Sequence, residues 1–343
     1  MASLAQLKGR MVIVLLALFL FFTGFFFLIA YVFDINPLFS FILAGVFILF
    51  QFLLGPVMVR MSTGLRYLQK GENPWLEGVV GDLCKKAGID VPKLAIVDVP
   101  TPNAFTFGYT AKGATLAVHR GLLEKLDKDE IQAVLAHELG HIKHKDAIVI
   151  TAISTLPLIA YLIARSTLFA GASSGRGRRG KGDSGGLIIL LAIVSYIIYV
   201  VGQLFVYGFS RMRENYADSY SAFLTQNPRG LIGALARITY GLALAPKEQA
   251  GVRAFYISDP ILAAQEIKDI ASKGDVYDLN KDGVLDEREL ELAMEKEAES
   301  RWMKMNSLFA THPPTYKRII ILKQIEKEIN TGVIDEARFN RLF

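Results

Sequence analysis

The sequence predicts an integral membrane protein, mostly α-helical with a small β-sheet, in which four apolar membrane segments accompany an α+β domain. Hydrophobic residues make up 52% of its 343 residues, charged residues make up 21%, and the mean hydropathy is +0.34. Counted with its 29 glycines, the apolar fraction exceeds the about 45–50% that is usual for soluble domains. This excess argues against an ordinary soluble enzyme and excludes a disordered or collagen-like chain.

The net positive charge and the single cysteine indicate which binding partners and which cellular compartment to expect. A net charge of +5 is compatible with nucleic-acid binding. In a membrane protein, however, lysine and arginine usually hold loops on the cytoplasmic side, so no nucleic-acid partner is expected. Cys84 is the one cysteine and cannot form an internal disulfide. We expect it to pack in a core on the reducing, cytosolic side.

Residues 1–61 are predicted to form an N-terminal membrane hairpin. The uncharged run from Met11 to Phe33 is long enough for the about 20 residues that span a bilayer. It is too long for a signal peptide and lacks a small-residue cleavage site. A second uncharged run lies between Asp34 and Arg60, and basic residues follow it. By the positive-inside rule, the N-terminus and the chain after Arg60 lie in the cytoplasm.

Residues 147–210 are predicted to form a second apolar hairpin. Its arms run from Ala147 to Ala164 and from Ser184 to Ser210, and a basic Gly/Ser-rich loop joins them. If both arms span the membrane, this loop lies outside, against the positive-inside rule, whereas a re-entrant pair avoids that conflict. The length of the second arm favours spanning.

The more polar remainder, residues 62–146 and 211–343, is predicted to form the two parts of a catalytic domain. Leu94 to Val99 and Ala114 to Val118 are apolar and β-branched, which is typical of short strands. Asp129 to Lys145 has the spacing of apolar residues that predicts a helix. The second part is predicted to be helical.

The predicted helix over 129–145 carries the sequence His137-Glu138-Leu139-Gly140-His141. Residues four apart share one face of a helix, so both imidazoles can reach a single ion. Zinc accepts histidine nitrogens and, in catalytic sites, keeps one position open for water. Glu138 is placed to take the proton from that water. The alternative interpretation is two unrelated histidines on a solvated helix.

A third zinc ligand has to come from elsewhere in the chain. The position ten residues after His137 is Ala147, which excludes the protease class that has a histidine there. Glu214 lies just past the last apolar run and is the best candidate, and Asp218 follows on the same helical face. Asp218 is suited to hold a ligating histidine through its other ring nitrogen. The alternative is a solvated acidic pair beside the membrane.

Three motifs together resemble those of the HtpX-type membrane-embedded metalloproteases, gluzincin relatives of the CAAX prenyl proteases: His137-Glu-Leu-Gly-His141-Ile-Lys-His144-Lys-Asp146, Glu214-x-x-x-Asp218 and Thr311-His312-Pro313-Pro314. The resemblance covers most of the chain, including both hydrophobic hairpins. It implies a gluzincin-like zinc protease domain that hydrolyses peptide bonds of membrane or misfolded proteins in quality control. It also implies zinc ligation by two histidines and the distal glutamate, with the first glutamate as base, and these roles fall on His137, His141, Glu214 and Glu138.

The same resemblance extends to substrate binding and to the oxyanion. Asn103-Ala104-Phe105 matches an element on an edge strand, along which a substrate would add as a further strand through backbone hydrogen bonds. His312 and Arg318 match a C-terminal His-Pro-Pro…Arg element whose groups stabilise the tetrahedral oxyanion. Without the resemblance, the first motif is a turn after two prolines, and the other two residues are a loop histidine and a helix arginine.

Three further polar residues receive no catalytic role. His144 and Asp146 belong to the family pattern, but their positions alone assign them no chemistry. His119 is expected to be structural.

The segment 278–289 has the spacing of an EF-hand loop and departs from the family pattern. Oxygen-bearing side chains occupy loop positions 1, 3 and 5, glycine occupies position 6 and glutamate position 12. The candidate calcium ligands are Asp278, Asn280, Asp282, Val284, Asp286 and Glu289. EF-hands usually occur in pairs and this loop is single, so the alternative is an Asx-rich turn that caps a helix.

These observations predict a zinc metalloendopeptidase of the cell membrane, multi-pass, whose catalytic domain faces the cytoplasm. The expected partners are polypeptide substrates, above all membrane proteins, and the lipid bilayer. The expected cofactors are Zn²⁺ and, through the loop 278–289, Ca²⁺. Two alternatives remain: a CAAX-type prenyl-protein protease, and a calcium-responsive membrane scaffold with a vestigial zinc site. The intact Glu138 speaks against the scaffold, which needs no base.

Overall fold

A computed structural model describes residues 4–32, 37–110, 112–174, 184–243 and 307–331, together with positions 257–258, 263–264, 267–268, 270, 279, 289 and 292–293. The chain divides into two compact units. The first contains Met1–Leu7, Pro56–Ala147 and Ser210–Phe343, and the second contains Lys8–Gly55 and Ile148–Phe209. The four-part division given above stays a prediction.

Helices dominate both units. Their bounds are α1 Leu4–Val32, α2 Pro37–Thr63, α3 Pro74–Ala87, α4 Arg120–Lys125, α5 Lys128–Lys143, α6 Asp146–Ser174, α7 Ser184–Thr225, α8 Pro228–Ala243 and α9 Thr315–Asn330. A short 3₁₀ turn, Ser307–Phe309, precedes α9. The helix predicted over 129–145 is therefore present as α5, and the described residues of the second part are mainly helical, in the end of α7, in α8 and in α9.

The apolar helices confirm the membrane part of the predicted fold class. α1, α6 and α7 contain stretches long and apolar enough to cross a bilayer: Gly9–Tyr31, Asp146–Phe169 and Ile188–Thr225. Within the described part of α2, the apolar stretch is the shorter Phe52–Thr63. Pro157 lies inside α6 without ending the helix.

Three helices of the second unit meet at Gly202. A Cβ atom at this position of α7 would lie 2.6 Å from Cζ of Phe22 in α1 and 3.0 Å from Cγ of Pro157 in α6. Small residues allow such close approach between apolar helices, where packing rather than the hydrophobic effect holds them together. Gly202 therefore sets the spacing at this crossing.

A small mixed sheet lies in the first unit. Its strands are β1 Arg66–Tyr67, β2 Lys93–Val97, β3 Ala104–Phe107 and β4 Thr115–His119, in the order β1-β2-β4-β3. β2 and β4 are parallel, whereas β1 and β3 each run antiparallel to their neighbour. Both predicted strands are confirmed with bounds shifted by one or two residues. Among the described strands, β3 has β4 as its one neighbour, so it forms an edge.

The core of the first unit forms where α3, α5, α8 and α9 pack with the sheet. Fully buried aliphatic side chains fill it, including Leu76, Leu83, Leu116, Val134, Leu135, Leu139, Leu235, Ile319 and Leu322. Each such side chain contributes about 1.5–3 kcal/mol relative to exposure. Cys84 is buried in this core, as expected.

Two glycines bring neighbouring helices close to α5. A Cβ atom at Gly140 would lie 3.0 Å from Cδ1 of Tyr220 in α7, and one at Gly230 in α8 would lie 2.8 Å from the Asp129 carbonyl oxygen. Larger side chains at these positions would push the helices apart. α7 therefore packs directly on the helix that carries both motif histidines.

Candidate metal centre

Three candidate ligands face one another between α5 and α7. The Nε2 atoms of His137 and His141 are 3.1 Å apart. Oε2 of Glu214 lies 3.5 Å from Nε2 of His137, and Oε1 of Glu214 lies 3.6 Å from Nε2 of His141. The α5 histidines meet because they are one helical turn apart, and Glu214 reaches them from the continuous helix α7.

This group of atoms fits a zinc ion. Ligand atoms about 2.0–2.1 Å from a tetrahedral ion stand about 3.3 Å from one another, which is close to the separations found here. Two imidazole nitrogens and one carboxylate form a ligand set of zinc hydrolases. Among the described residues, the buried Oε2 atom of Glu214 has no hydrogen-bond partner, as expected of an oxygen that faces a cation.

A carboxylate lies behind each of the two histidines. Oδ1 of Asp218 is 3.0 Å from Nδ1 of His137, and Oδ2 of Asp146 is 2.7 Å from Nδ1 of His141. A carboxylate at Nδ1 holds the proton there and leaves Nε2 for a metal. The placement of Asp218 is the one that the sequence predicts, whereas the placement of Asp146 was missed.

The electrostatics of the centre favour a cation. Burial opposes a charge on His137, but the carboxylates of Asp218 and Glu214 outweigh it and raise its pKa to about 9. Burial likewise opposes a charge on His141, and Asp146 and Glu214 raise its pKa. Carboxylates that stabilise positive charge on these rings also stabilise a metal ion bound at their Nε2 atoms.

Glu138 faces the centre from the same helix. One carboxylate oxygen lies within 4.8 Å of the ligand nitrogens of His137 and His141. Thr106 on β3 donates a hydrogen bond of 3.1 Å from Oγ1 to Oε2 of Glu138. Burial raises the pKa of Glu138, and the two histidines oppose that rise. A carboxylate with a raised pKa is a competent general base near neutral pH.

His312 reaches the centre from the loop before α9. Its Nε2 atom lies 3.6 Å from Oε1 of Glu214, and its Nδ1 is 2.9 Å from Oγ1 of Thr311. Arg211 of α7 donates from Nη1 to the carbonyl oxygens of Leu308 and Ala310, at 3.1 and 2.8 Å. The loop that carries His312 is thereby fastened to the helix that carries Glu214.

Arg318 lies behind the centre and is fully buried. Its Nε donates to Oδ2 of Asp218 at 2.8 Å, its Nη2 donates to Oδ1 at 2.6 Å, and its Nη1 donates to the carbonyl oxygen of Ile257. This bidentate pair holds the carboxylate that contacts His137. The guanidinium is thus engaged by protein groups, and the predicted contact of Arg318 with an oxyanion stays a prediction.

The comparisons with known proteins agree with this geometry. The profile of peptidase family M48 matches residues 70–326. The Protease HtpX homolog of Aeropyrum pernix is 33% identical over 288 residues, covering 84% of this chain and 86% of the relative. The Protease HtpX homolog 2 of Methanosarcina mazei is 36% identical over 273 residues, covering 78% of this chain and 90% of the relative.

The chain belongs to peptidase family M48. It is a membrane-embedded metallopeptidase that acts on polypeptides, and the resemblance to HtpX-type proteases is confirmed. The crystal structure of Ste24p from S. mikatae superposes with a TM-score of 0.47 at 17% identity, over 93% of this chain and 67% of that one.

The segment of this M48 protein that is predicted to bind substrate leads into the edge strand β3 and includes its first residues. Asn103 is buried, its carbonyl accepts from the His119 N–H at 2.9 Å, and its Oδ1 accepts from the Ile257 N–H at 3.0 Å. Ala104 and Phe105 are buried as well. The role of these three residues in substrate binding stays a prediction.

The predicted calcium loop of this M48 protein falls largely outside the described residues. Asp278, Asn280, Asp282, Val284 and Asp286 lie outside them. Glu289 is described and buried, and its Oε1 accepts a hydrogen bond of 2.7 Å from the backbone N–H of Leu279.

Two residues that received no catalytic role pack as structural groups. His144 lies edge-on to Tyr216 and Tyr220, with ring centroids 4.6 and 5.1 Å away. His119 lies edge-on to Phe105 at 6.0 Å. Burial lowers the pKa of both histidines to about 4, so they are neutral near pH 7.

Proposed function

We propose that this M48 protein is a zinc-dependent endopeptidase whose metal is held by His137, His141 and Glu214. The observation that carries the proposal is the mutual approach of two Nε2 atoms and one carboxylate to within 3.6 Å, inside a buried cluster. Asp218 orients His137 through Nδ1. The family accounts for a metal, and this donor set selects zinc over oxygen-preferring cations.

In the proposed mechanism, the chain's own residues move the proton and place the substrate. A zinc ion held there supplies polarisation of the scissile carbonyl and activation of water. Glu138 accepts the proton of the attacking water and delivers it to the leaving amine as the peptide bond breaks. His312 donates to the developing oxyanion, where a single donor is worth about 3 kcal/mol. Arg318 supports the site by holding Asp218.

We propose that substrates bind along β3 as an added strand, over Asn103, Ala104 and Phe105. Backbone pairing gives affinity that depends little on the side chains of the substrate. Such tolerance suits the removal of misfolded polypeptides of varied sequence. The apolar helices support a role in the quality control of membrane proteins, because an enzyme embedded in the membrane would meet such proteins, and we propose that role.

Metal analysis of purified variants tests the ligand set. His137→Ala and Glu214→Ala should lose zinc and casein cleavage together, because removing one of three protein ligands leaves a poor site. Glu326→Gln is the matched control: this carboxylate pairs with Arg229 on the outer face of α8 and α9 and should leave zinc content unchanged. Equal zinc content in Glu214→Ala and the parent would remove Glu214 from the ligand set.

We propose that the catalytic domain, formed by 62–146 and 211–343, faces the cytoplasm of the cell membrane, and that 1–61 and 147–210 are membrane hairpins. Single cysteines introduced at Asp129, Gly180 and Asn330 test this arrangement by labelling from each side. Cys84 gives little background, because burial raises its thiol pKa to about 11. Positions 129 and 330 should label from the cytoplasmic face and position 180 from the other. Labelling of 129 and 330 from opposite faces would rule out a shared metal site.

We also propose weak calcium binding by the loop 278–289. The sequence pattern supplies the proposed ligands, and the contact between Glu289 and the Leu279 N–H brings loop positions 12 and 2 together. Millimolar calcium should raise the Tm of the parent, but not that of Asp278→Ala combined with Glu289→Gln. If a calorimetric titration of the parent with millimolar calcium shows no heat of binding, the segment 278–289 is only a helix-capping turn.

A further inference from the structure

Each of the two histidines that face the candidate metal site is the first of three side chains in contact: a histidine, an aspartate and an arginine. Behind His137 lie Asp218 and then Arg318, all of them fully buried. Behind His141 lie Asp146 and then Arg213: Nδ1 of His141 lies 2.7 Å from Oδ2 of Asp146, and Nη2 of Arg213 donates to Oδ1 of the same carboxylate. Neither Asp146 nor Arg213 has a role that the sequence predicts.

We propose that Asp146 and Arg213 are positioning residues for the metal centre, a role that rests on the proposed function. Asp146 holds the proton of His141 on Nδ1 and fixes the direction of the ring, so that Nε2 points at the other ligands. Arg213 fixes the direction of Asp146. The pair therefore governs how tightly His141 holds the metal.

Local geometry explains why Asp146 needs Arg213. Asp146 is the first residue of α6 and follows Lys145, whose φ of 57° lies in the left-handed region that non-glycine residues rarely adopt. The carboxylate is thus brought back toward His141 by a turn, and it is not placed by the regular helix α5. Its side chain is 8% exposed, and a carboxylate this buried is costly without a charged partner.

Arg213 is itself held in place on α7. Its guanidinium carbon lies 5.0 Å from the ring centroid of Tyr216, one turn along the same helix, and its side chain is 11% exposed. A guanidinium stacked on an aromatic face and paired with a carboxylate has little freedom. Arg213 is also adjacent to Glu214, so one turn of α7 supplies a ligand and the support of another ligand.

A purely structural role would make the Asp146–Arg213 pair a tie between the first turn of α6 and α7. Such a tie would affect folding stability without affecting the metal. The two roles differ in zinc affinity and in the ligand field of the site, so both are measured on the full-length protein in detergent. Zinc affinity is obtained by competition with a chromogenic chelator, and the ligand field is read from the visible spectrum of the Co²⁺-substituted protein.

The expected series is graded. Asp146→Asn should weaken zinc binding by about 10–100-fold and shift the Co²⁺ bands, as for other supporting carboxylates. Arg213→Gln should weaken zinc binding by roughly 10-fold. Arg213→Lys should recover part of this loss, because lysine keeps the positive charge but lacks the planar guanidinium that donates two hydrogen bonds. In the Asp146→Asn background, Arg213→Gln should add little, since Arg213 acts through Asp146. Arg229→Gln is the control, because it breaks an exposed pair with Glu326.

Parent-like zinc affinity and Co²⁺ bands in Asp146→Asn and Arg213→Gln, with only a lower Tm, would overturn the inference. Should Arg213→Gln fail to fold, the comparison of Arg213→Lys with Arg229→Lys decides in the same way. The proposed function fails separately: if His141→Ala also binds zinc like the parent, the metal site itself is misassigned. If His141→Ala loses zinc while both positioning variants retain it, only the positioning role fails.

Discussion

Thr106 and Glu138 are joined by a hydrogen bond of 3.1 Å between the threonine hydroxyl and one carboxylate oxygen. Thr106 lies on β3, the proposed substrate strand, and Glu138 lies on α5 beside both motif histidines. The bond ties the orientation of the proposed base to the strand along which the substrate would lie. It also favours the carboxylate form of Glu138, which burial disfavours.

Thr106→Val should therefore lower kcat with little change in zinc content. Without this bond the carboxylate of Glu138 is no longer held in its orientation, and misplacement of a catalytic group can cost up to about 10²-fold in rate. We expect roughly a 10-fold lower kcat, which corresponds to about 1.4 kcal/mol of activation free energy. Thr106→Ser restores the hydroxyl and should recover most of the rate. Equal kcat values for the valine and serine variants would contradict this role.

Glu138→Gln should retain zinc and lose nearly all proteolysis. The ligand atoms survive in this variant, but glutamine cannot accept a proton from water, and general-base assistance contributes about 10²–10⁴-fold. Zinc content and casein cleavage are measured on the same preparation. Asp129→Asn, an exposed carboxylate in the same helix, serves as control and should change neither value. Substantial cleavage by Glu138→Gln would assign the base elsewhere.

Local spacing made part of the site predictable from sequence. His137, Glu138 and His141 occupy one face of one helix, and Glu214 and Asp218 are four residues apart on another, so each group is a short-range pattern. The apolar run and the Glu214 segment, which the sequence analysis treated separately, proved to be one helix, α7. The sequence does not indicate this continuity. Polar residues follow an apolar run both where a helix ends and where a helix continues beyond its apolar part.

The contacts that support the site were less predictable. Thr106 and Glu138 are 32 residues apart in sequence, and Arg213 and Asp146 are 67 apart, so only tertiary packing brings them together. Asp146 stood in a recognised motif, yet its role depends on the backbone turn at Lys145. Charged residues next to apolar runs are ordinarily solvated, which hides a buried pair such as Arg213 with Asp146.

Gly121→Ala should destabilise the sheet edge that leads into β3. A Cβ atom at Gly121 would lie 2.1 Å from the Pro100 carbonyl oxygen and 3.0 Å from the Thr101 nitrogen. Both are backbone atoms, so the segment 100–101 must shift, and overpacking of this kind costs about 1–3 kcal/mol.

The Gly121→Ala shift should also reach the substrate strand, since residue 101 lies three positions before β3. We expect a lower Tm and a raised KM for peptide substrates. Gly78→Ala is the matched control: Gly78 lies in α3 with nothing within 4 Å of its Cβ position, so alanine should be neutral or stabilising there by up to about 1 kcal/mol. A parent-like Tm for Gly121→Ala would show that the segment adapts without cost.

His119 gives the fold a dependence on pH that is separate from the metal centre. Its ring is 5% exposed, packs edge-on against Phe105, and has Nδ1 3.0 Å from the Thr101 carbonyl oxygen. Burial lowers its pKa to about 4, against about 6.5 in an unfolded chain. Between these values the unfolded state binds a proton that the folded state does not, so stability falls as pH decreases from about 6.5 toward about 4.

Replacing His119 by asparagine should remove this part of the pH dependence. The asparagine amide keeps a donor near the position of Nδ1 and has no ionisation in the range. At pH 5 the unfolded-state protonation of His119 should cost the parent about 1–2 kcal/mol relative to pH 7.5. Thermal unfolding of the parent and of His119→Asn at pH 7.5, 6 and 5 measures this cost. The other histidines titrate in both proteins, so the difference between the two slopes of Tm against pH reports on His119 alone. The Tm of the parent should fall more steeply with acidification than that of His119→Asn. Parallel slopes would mean that the pKa of His119 is the same in the folded and unfolded states, so that His119 contributes nothing to the pH dependence of stability.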